Sequence, residues 1–414
     1  MSISTNTIWV NQRLLAIWVL GFASGLPLAL TGSTLQAWFT DSGVHIVTIG
    51  ALSLLGIPYT LKFLWAPLMD YYGWPVLGRR RGWIMAMQLG LVVALFLLAN
   101  MQPTTEAHLM GVMAFAVAFF SASQDISITA YQTDILPAEE RGLGAAYYIF
   151  AYRVAILMSG GLALIFADHL GWKVTYELMA ALVLVTMIVT FFAPRTVELP
   201  VASGSLFHTI KLAAMDFLQR DKLWLLVLFI IFYKIGDALA LSLMTNFLLH
   251  GLGFTLTEVG VAYKVVSFVA TVLGAFVGGA ILTKCDIYRA LLWFGLAQAF
   301  SNLTFVLLAM VGKHFTLMAM SIFIENFCSG LSTAALLAFL MSLCNHRYTA
   351  SQFALLSALA SLGRVFLGPL AGVLVLNLGW APFFWWSFVL CFPGILFLML
   401  LKKEVLEYAH VAVN

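Results

Sequence analysis

Apolar residues in this chain come in long blocks rather than in stripes. Twelve blocks of about 20 residues or more alternate with polar connections, near residues 14–39, 47–69, 82–101, 108–132, 143–167, 175–194, 223–249, 258–283, 289–312, 316–343, 350–376 and 381–401. A helix needs about 20 residues to cross the bilayer core, and a backbone in lipid must satisfy its own polar groups, so each block predicts a membrane-spanning helix. Most connections are short. The exception is the hydrophilic stretch 193–222, which follows the sixth block. The expected fold class is therefore all-α integral membrane, with twelve transmembrane helices as two pseudo-symmetric six-helix bundles. These are residues 1–194 and 223–414, joined by a cytoplasmic linker at 195–222. Inside the linker, Phe207, Ile210, Ala214 and Phe217 recur at helical spacing opposite Lys211 and Arg220. That pattern fits an amphipathic helix on the membrane surface or a plain solvated linker equally well.

Composition agrees: 62% of the residues are apolar and 9% charged, against about 25% charged in soluble domains, and the mean hydropathy is +0.99. The net charge of +3 decides little, whereas the placement of the charges decides the orientation. Fourteen of the 21 Lys and Arg residues fall on the face that holds the N-terminus, the linker and the C-terminus, while Lys173 and Lys313 alone fall on the other. Positive charge stays inside, so both termini are expected in the cytoplasm, and a bacterial inner membrane is the expected location. The first block runs from Leu14 through Phe39, too long for a signal-peptide core, and reads as a retained helix. Cys285, Cys328, Cys344 and Cys391 form no C-x-x-C pair, and all eight histidines fall in loops or at helix ends. No disulfide framework, metal site or cofactor is expected. No Walker A loop, H-E-x-x-H or G-x-S-x-G is present, so neither ATP hydrolysis nor an enzyme is indicated.

A few charges lie within the blocks: Lys62, Arg153, Lys234, Lys264 and Arg364 against Asp125, Asp237 and Glu325. Ionisable groups at membrane depth are costly and mark solute or proton pathways unless they pair. Lys234 and Asp237 are i,i+3 on one helix and can pair locally, leaving four cations against two acids. A dry structural network should come closer to balance, so a water-filled cavity suited to an anionic solute is expected. The alternative is that some of these residues snorkel to an interface, Lys62, near the inner end of its helix, before the others. Asp125, beside Gln124, either neutralises a cation on a neighbouring helix or carries function. Arg153 and Arg364 each stand twelve residues after Arg141 and Gln352 in equivalent helices, and bidentate binding suits them to carboxylates. After the second block, Asp70 and the run Arg79, Arg80, Arg81 read as a cytoplasmic ion-pair latch or as topogenic charge. Glycine pairs Gly21/Gly25, Gly274/Gly278 and Gly368/Gly372 predict close helix contacts. Pro27, Pro58, Pro67 and Pro369 predict bends or interruptions.

The strings LGFASGLPLALT (Leu20–Thr31), KFLWAPLMD (Lys62–Asp70), GRRRGW (Gly78–Trp83), SASQDI (Ser121–Ile126), TDILPAEERG (Thr133–Gly142), YKIGDALALSL (Tyr233–Leu243), ENFCSGLSTAALLAFLMSLCN (Glu325–Asn345) and QFALLSALASLGR (Gln352–Arg364) resemble the AmpG muropeptide permease family of the major facilitator superfamily. The resemblance spans both halves. It implies an inner-membrane carrier that imports anhydro-muropeptides, GlcNAc-anhydroMurNAc peptides, by proton symport for cell-wall recycling, with a link to β-lactamase induction. It also implies roles for Gln124 and Asp125, for Lys234 and Asp237, and for Glu325. There are departures: Asp70 is followed by Tyr71 rather than arginine, and Thr129 stands where the family has a second carboxylate. Siderophore permeases of the same superfamily are the alternative. The expected site has Asp125 carrying the proton with support from Glu325, and Asp237 held as an ion by Lys234. Gln124, Arg153, Lys234, Lys264, Arg364 and Asn326 are the expected substrate groups. Expected partners are an anionic glycopeptide, protons and lipid, with no nucleic acid, and the chain is expected to act as a monomer.

Overall fold

The computed structural model describes residues 12–71, 73, 77–136, 141–195, 222–282, 284–343 and 349–411. The linker stripe through Phe207, Ile210, Ala214 and Phe217 lies outside them. Twelve helices of 19 to 30 residues are long and apolar enough to cross a membrane. They are α1 (Gln12–Asp41), α2 (Ile46–Leu64), α3 (Arg79–Ala99), α4 (Pro103–Gln132), α5 (Tyr147–Leu170), α6 (Trp172–Phe192), α7 (Leu223–Gly251), α8 (Leu256–Leu282), α9 (Ile287–Val311), α10 (Phe315–Leu340), α11 (Ala358–Leu378) and α12 (Trp380–Leu400). A short helix, α13 (Lys402–Val411), follows. The twelve apolar blocks and the twelve helices correspond one to one, as the all-α membrane fold requires.

Several of these helices are not regular throughout. α2 passes through two 3₁₀ segments, Leu52–Gly56 and Lys62–Leu64, on either side of a turn that contains Pro58. α5 widens into a π segment over Met158–Leu162, where Ser159, Gly160 and Gly161 are buried. α7 breaks at Lys234 (φ −109°, ψ 8°), and α8 carries a π segment over Gly260–Val266. Pro27 and Pro369 sit inside uninterrupted helices, so the bend expected there does not break the helix. Interruptions free backbone groups and redirect side chains, and they gather at functional positions.

The chain divides into two compact units, Met1–Val44 with Leu55–Ser203, and His45–Leu54 with Gly204–Asn414. In the first, α1 lies on α5 backbone to backbone. A Cβ added at Gly21 would fall 2.6 Å from the Tyr148 carbonyl oxygen, and one at Gly25 would fall 2.4 Å from that of Tyr152. At the end of α3, the Arg81 guanidinium donates to the carbonyls of Phe191 (2.6 Å) and Ala193 (2.9 Å), closing the C-terminus of α6, while Tyr131 donates to Pro194 O at 2.8 Å. A cation at a helix C-terminus satisfies orphan carbonyls and meets the negative end of the helix dipole. Arg80 pairs with Asp134 at 2.8 Å. Arg80 and Arg81, two members of the expected latch with Asp70, tie α3 to the ends of α4 and α6. The side chain of Asp70 lies outside the described residues.

In the second unit, α8 meets α10 at Gly274, where an added Cβ would lie 2.1 Å from the Phe327 carbonyl oxygen. The segment His45–Leu54 packs on α11 through Gly50 against Gly368, and Ser53 donates to the Val365 carbonyl at 2.7 Å. Phe229, Tyr233, Leu291, Phe339 and Leu398 form the core of this unit. Lys222, at a left-handed φ of 54°, pairs with Glu404 of α13.

Candidate functional site

Each unit builds one polar cluster inside an apolar bundle. In the first, the cluster is made by α1, α2, α4 and α5. Asp125 projects from α4, and the 3₁₀ turn Lys62–Leu64 delivers the Lys62 ammonium onto Asp125 Oδ2. The glycine contact of α1 with α5 sets Ser24 and Tyr148 side by side. Ser24 donates to Asp125 Oδ1 at 2.7 Å, and Tyr148 donates to the same oxygen at 2.9 Å and lies 3.0 Å from Ser24 Oγ. One carboxylate therefore receives an ammonium and two hydroxyls. Such charge-assisted donors favour the ionised form of an acid. The Lys62 side chain, 37% exposed, turns to Asp125 and pairs with it. The pair removes one cation and one acid together, so the excess of cations over acids within the blocks stays the same.

Gln124, an expected substrate group, is sealed within the first unit with no exposed surface. Both its amide atoms are without a hydrogen-bond partner among the described residues, as are Ser121 Oγ and Ser127 Oγ on the same helix. In this conformation it offers nothing to a solute. Arg153, in contrast, is exposed.

The second cluster is larger and is made by α7, α8, α9 and α10. At the break in α7, the Lys234 ammonium lies 3.3 Å from Asp237 Oδ2, 2.7 Å from Ser332 Oγ and 3.2 Å from Ser329 Oγ. The i,i+3 pair expected from the sequence is there. Ser329 also reaches Asp237 Oδ2 at 3.3 Å. Gln298 of α9 donates from one amide nitrogen to Asp237 Oδ1 at 3.1 Å and to Glu325 Oε1 at 3.4 Å. Asn326 donates to Glu325 Oε2 at 2.7 Å and accepts from Thr271 of α8 at 3.3 Å. Glu325 itself is completely buried, and Asp237 is 8% exposed. Arg364 of α11 is exposed and interacts electrostatically with Asp237. The side chain of Lys264 lies outside the described residues.

Sequence reasoning missed Ser24, Tyr148 and Gln298. The first two are ordinary residues of apolar blocks. Gln298 left a usable signal, since Gln298 and Asn302 stand i,i+4 as uncharged hydrogen-bonding groups at membrane depth.

Proteins of known sequence decide what such a molecule is. The model of the Major Facilitator Superfamily matches residues 16–354 and 235–410. The anhydromuropeptide permease of Escherichia coli (strain K12) is 46% identical over 408 residues, which cover 98% of this chain and 83% of that protein. The chain belongs to the AmpG muropeptide permease family of the major facilitator superfamily. A putative transporter AmpG 4 of Rickettsia felis is 31% identical over 96% of this chain and 98% of its own length. Among solved structures, a POT family transporter in complex with 5-aminolevulinic acid superposes with a TM-score of 0.74 at 12% identity, covering 96% of this chain and 99% of the other, which speaks for the fold. An AmpG-family chain is a multi-pass membrane transporter rather than an enzyme.

Proposed function

We propose that this chain imports anhydro-muropeptides from the periplasm across the bacterial inner membrane, driven by symported protons, and so feeds cell-wall recycling. The observation that carries this reading is the 46% identity with an anhydromuropeptide permease, sustained across 98% of the chain and hence across both units. Substrate chemistry is in keeping: the peptide stem carries carboxylates, and Arg153 and Arg364 are exposed guanidinium groups, one in each unit. Both termini are cytoplasmic in this reading, so a reporter fused at Ser205 should read cytoplasmic.

A proton-coupled carrier needs a carboxyl that alternates between protonated and ionised forms. Asp125 is the candidate that its position in the sequence favours, yet an ammonium and two hydroxyls already hold it as an ion. Glu325 is enclosed, and its hydrogen-bond donors among the described residues are the neutral amides of Gln298 and Asn326. Two acids, Asp237 and Glu325, stand there with, among the described residues, the one ammonium of Lys234 in contact. An uncompensated buried charge is costly, so one proton on the pair balances the cluster. We therefore assign the transported proton to Glu325, with Asp237 as its ion-paired partner and Asp125 as a structural ion.

The test is uptake of labelled GlcNAc-anhydroMurNAc tripeptide into vesicles, with a ferric siderophore as the competing solute. Uptake of the muropeptide that collapses with an uncoupler is expected. Accumulation of the siderophore alone would transfer the assignment to the siderophore permeases.

A further inference from the structure

The hydrogen bonds of the second cluster form a closed ring. Lys234 Nζ donates to Ser332 Oγ (2.7 Å), Ser332 Oγ donates to Gln298 Oε1 (3.4 Å), Gln298 Nε2 donates to Asp237 Oδ1 (3.1 Å), and Asp237 Oδ2 receives Lys234 (3.3 Å). Glu325 stands outside the ring and is joined to it by the second hydrogen of the same amide, at 3.4 Å, and by a side-chain hydrogen bond with Asp237. An amide has two N–H hydrogens and one carbonyl oxygen, so here each hydrogen has one carboxyl and the oxygen has one hydroxyl. Turning the amide over would set its oxygen against both acids, which is tolerable only if they hold protons to donate. The orientation of Gln298 is therefore tied to the charge on the pair.

We propose that Gln298 is a positioning residue that links the proton on Glu325 to the engagement of Lys234. When an anionic group of a solute draws the Lys234 ammonium away, Asp237 loses its cation and Ser332 loses its donor. The ring opens at both ends of Gln298. The shared proton then moves from Glu325 to Asp237: the O–H bond at Glu325 breaks, one forms at Asp237, and the total charge of the pair is unchanged. Gln298 keeps the two carboxyl oxygens on one nitrogen, within 6.5 Å of each other by the sum of the 3.1 and 3.4 Å contacts. Among the described residues, the other titratable or charged groups near the pair are Tyr263 from α8, Cys328 on α10, Arg364 from α11 and Cys391 from α12.

This inference rests on the proton-coupled reading, but its first test needs no substrate. A protonated carboxylic acid has an infrared carbonyl band distinct from carboxylate. In the purified, detergent-solubilised chain that band should titrate with pH and disappear in Glu325→Gln. In Gln298→Ala its midpoint should move by about one pH unit or more. Gln298→Met, which keeps the volume, and Ser332→Ala, which frees the amide oxygen and takes one acceptor from Lys234, guard against misfolding and should shift the midpoint in turn. In vesicles, Gln298→Ala should keep muropeptide counterflow within about twofold while accumulation falls tenfold or more. An unshifted band in Gln298→Ala and Gln298→Met overturns the proposal, as does a parallel loss of exchange and accumulation with the pH profile unchanged. If the wild type shows the band shifts but moves no muropeptide, the substrate assignment fails while the role of Gln298 stands.

Discussion

The two polar clusters start from the same materials and arrive at different electrostatics. Each has an aspartate, a lysine and hydroxyl groups in an apolar bundle. In the first unit the count closes: one carboxylate, one ammonium, and Ser24 and Tyr148 on the oxygen that the ammonium leaves free. In the second, among the described residues, two acids are enclosed with the one ammonium of Lys234 in contact and Arg364 interacting electrostatically with Asp237, and two amides join the hydroxyls. A balanced ion pair at membrane depth has no reason to change state, because either partner alone would be stranded. An unbalanced pair of acids must hold a proton and can release it when the ammonium in contact with it is drawn away. The charge count, more than the depth of any one residue, separates a fastener from a machine part.

The largest effect that sharpens this contrast is expected at Glu325. Glu325→Gln keeps the shape and one of the two acceptors and removes the titrating group, so proton-driven accumulation should fall by about a hundredfold while counterflow exchange persists. Asp125→Asn should behave differently. It strands Lys62 and weakens folding by about 1–3 kcal/mol, a buried-pair cost reduced because Lys62 is partly solvated. Both accumulation and exchange should drop with the amount of folded protein. The combination Lys62→Met with Asp125→Asn is neutral and should recover much of both activities. If instead that double variant exchanges substrate freely but never concentrates it, the proton belongs to the first unit and the comparison is inverted.

A smaller effect is expected where the first cluster is assembled. Gly25→Ala places a methyl 2.4 Å from the Tyr152 carbonyl oxygen, and backbone cannot step aside as a side chain tip can. Overpacking of this kind costs about 1–3 kcal/mol. It should also draw Tyr148 and Ser24 off Asp125, so thermal stability and uptake should fall together. Normal melting with normal uptake would mean that α1 and α5 are free to part, and that the hydroxyl clamp is dispensable. On the second unit, Arg364→Lys keeps the charge and loses the planar fork, so the apparent affinity for a peptide-bearing substrate should weaken by about tenfold. Unchanged transport in Arg364→Ala at normal expression would remove the residue from the binding site.

How much of this could be read from the sequence follows from the range of each interaction. The spanning helices were legible because block length alone is enough in lipid. Lys234 with Asp237 was legible because helical spacing places i and i+3 on one face. Lys62 with Asp125 was not: the partners are 63 residues apart on different helices, and the 3₁₀ turn that aims Lys62 has no sequence signature as strong as a proline or a cap. Ser24 is 101 residues from Asp125, and only the Gly21/Gly25 spacing hinted that α1 would come close to another backbone. Gln298 escaped because an inventory of buried charges does not count neutral amides, although these are the groups that bridge charges.

The smallest effect compares how the two units fasten the ends of their helices. The first uses Arg81 on the carbonyls of α6, and a guanidinium stays charged at every relevant pH. The second uses Lys222 on Glu404 of α13, and that contact can titrate. The hydrogen bond from Lys222 holds the Glu404 carboxyl below its ordinary range. A carboxyl lowered by folding contributes its full stability above its unfolded pKa, about 4.3, and loses it as the pH falls through the lower folded value. Lys222→Ala should therefore lower stability at pH 7 by no more than about 1 kcal/mol, and the gap to the wild type should close in acid. Arg81→Ala should leave a gap that acid does not close. Melting curves of the detergent-solubilised chain from pH 7 down to about 3 separate the two. A Lys222→Ala gap that survives at the acid end would mean that α13 is held by the apolar contacts of Leu401 and Val405 in the core of its unit rather than by the ion pair.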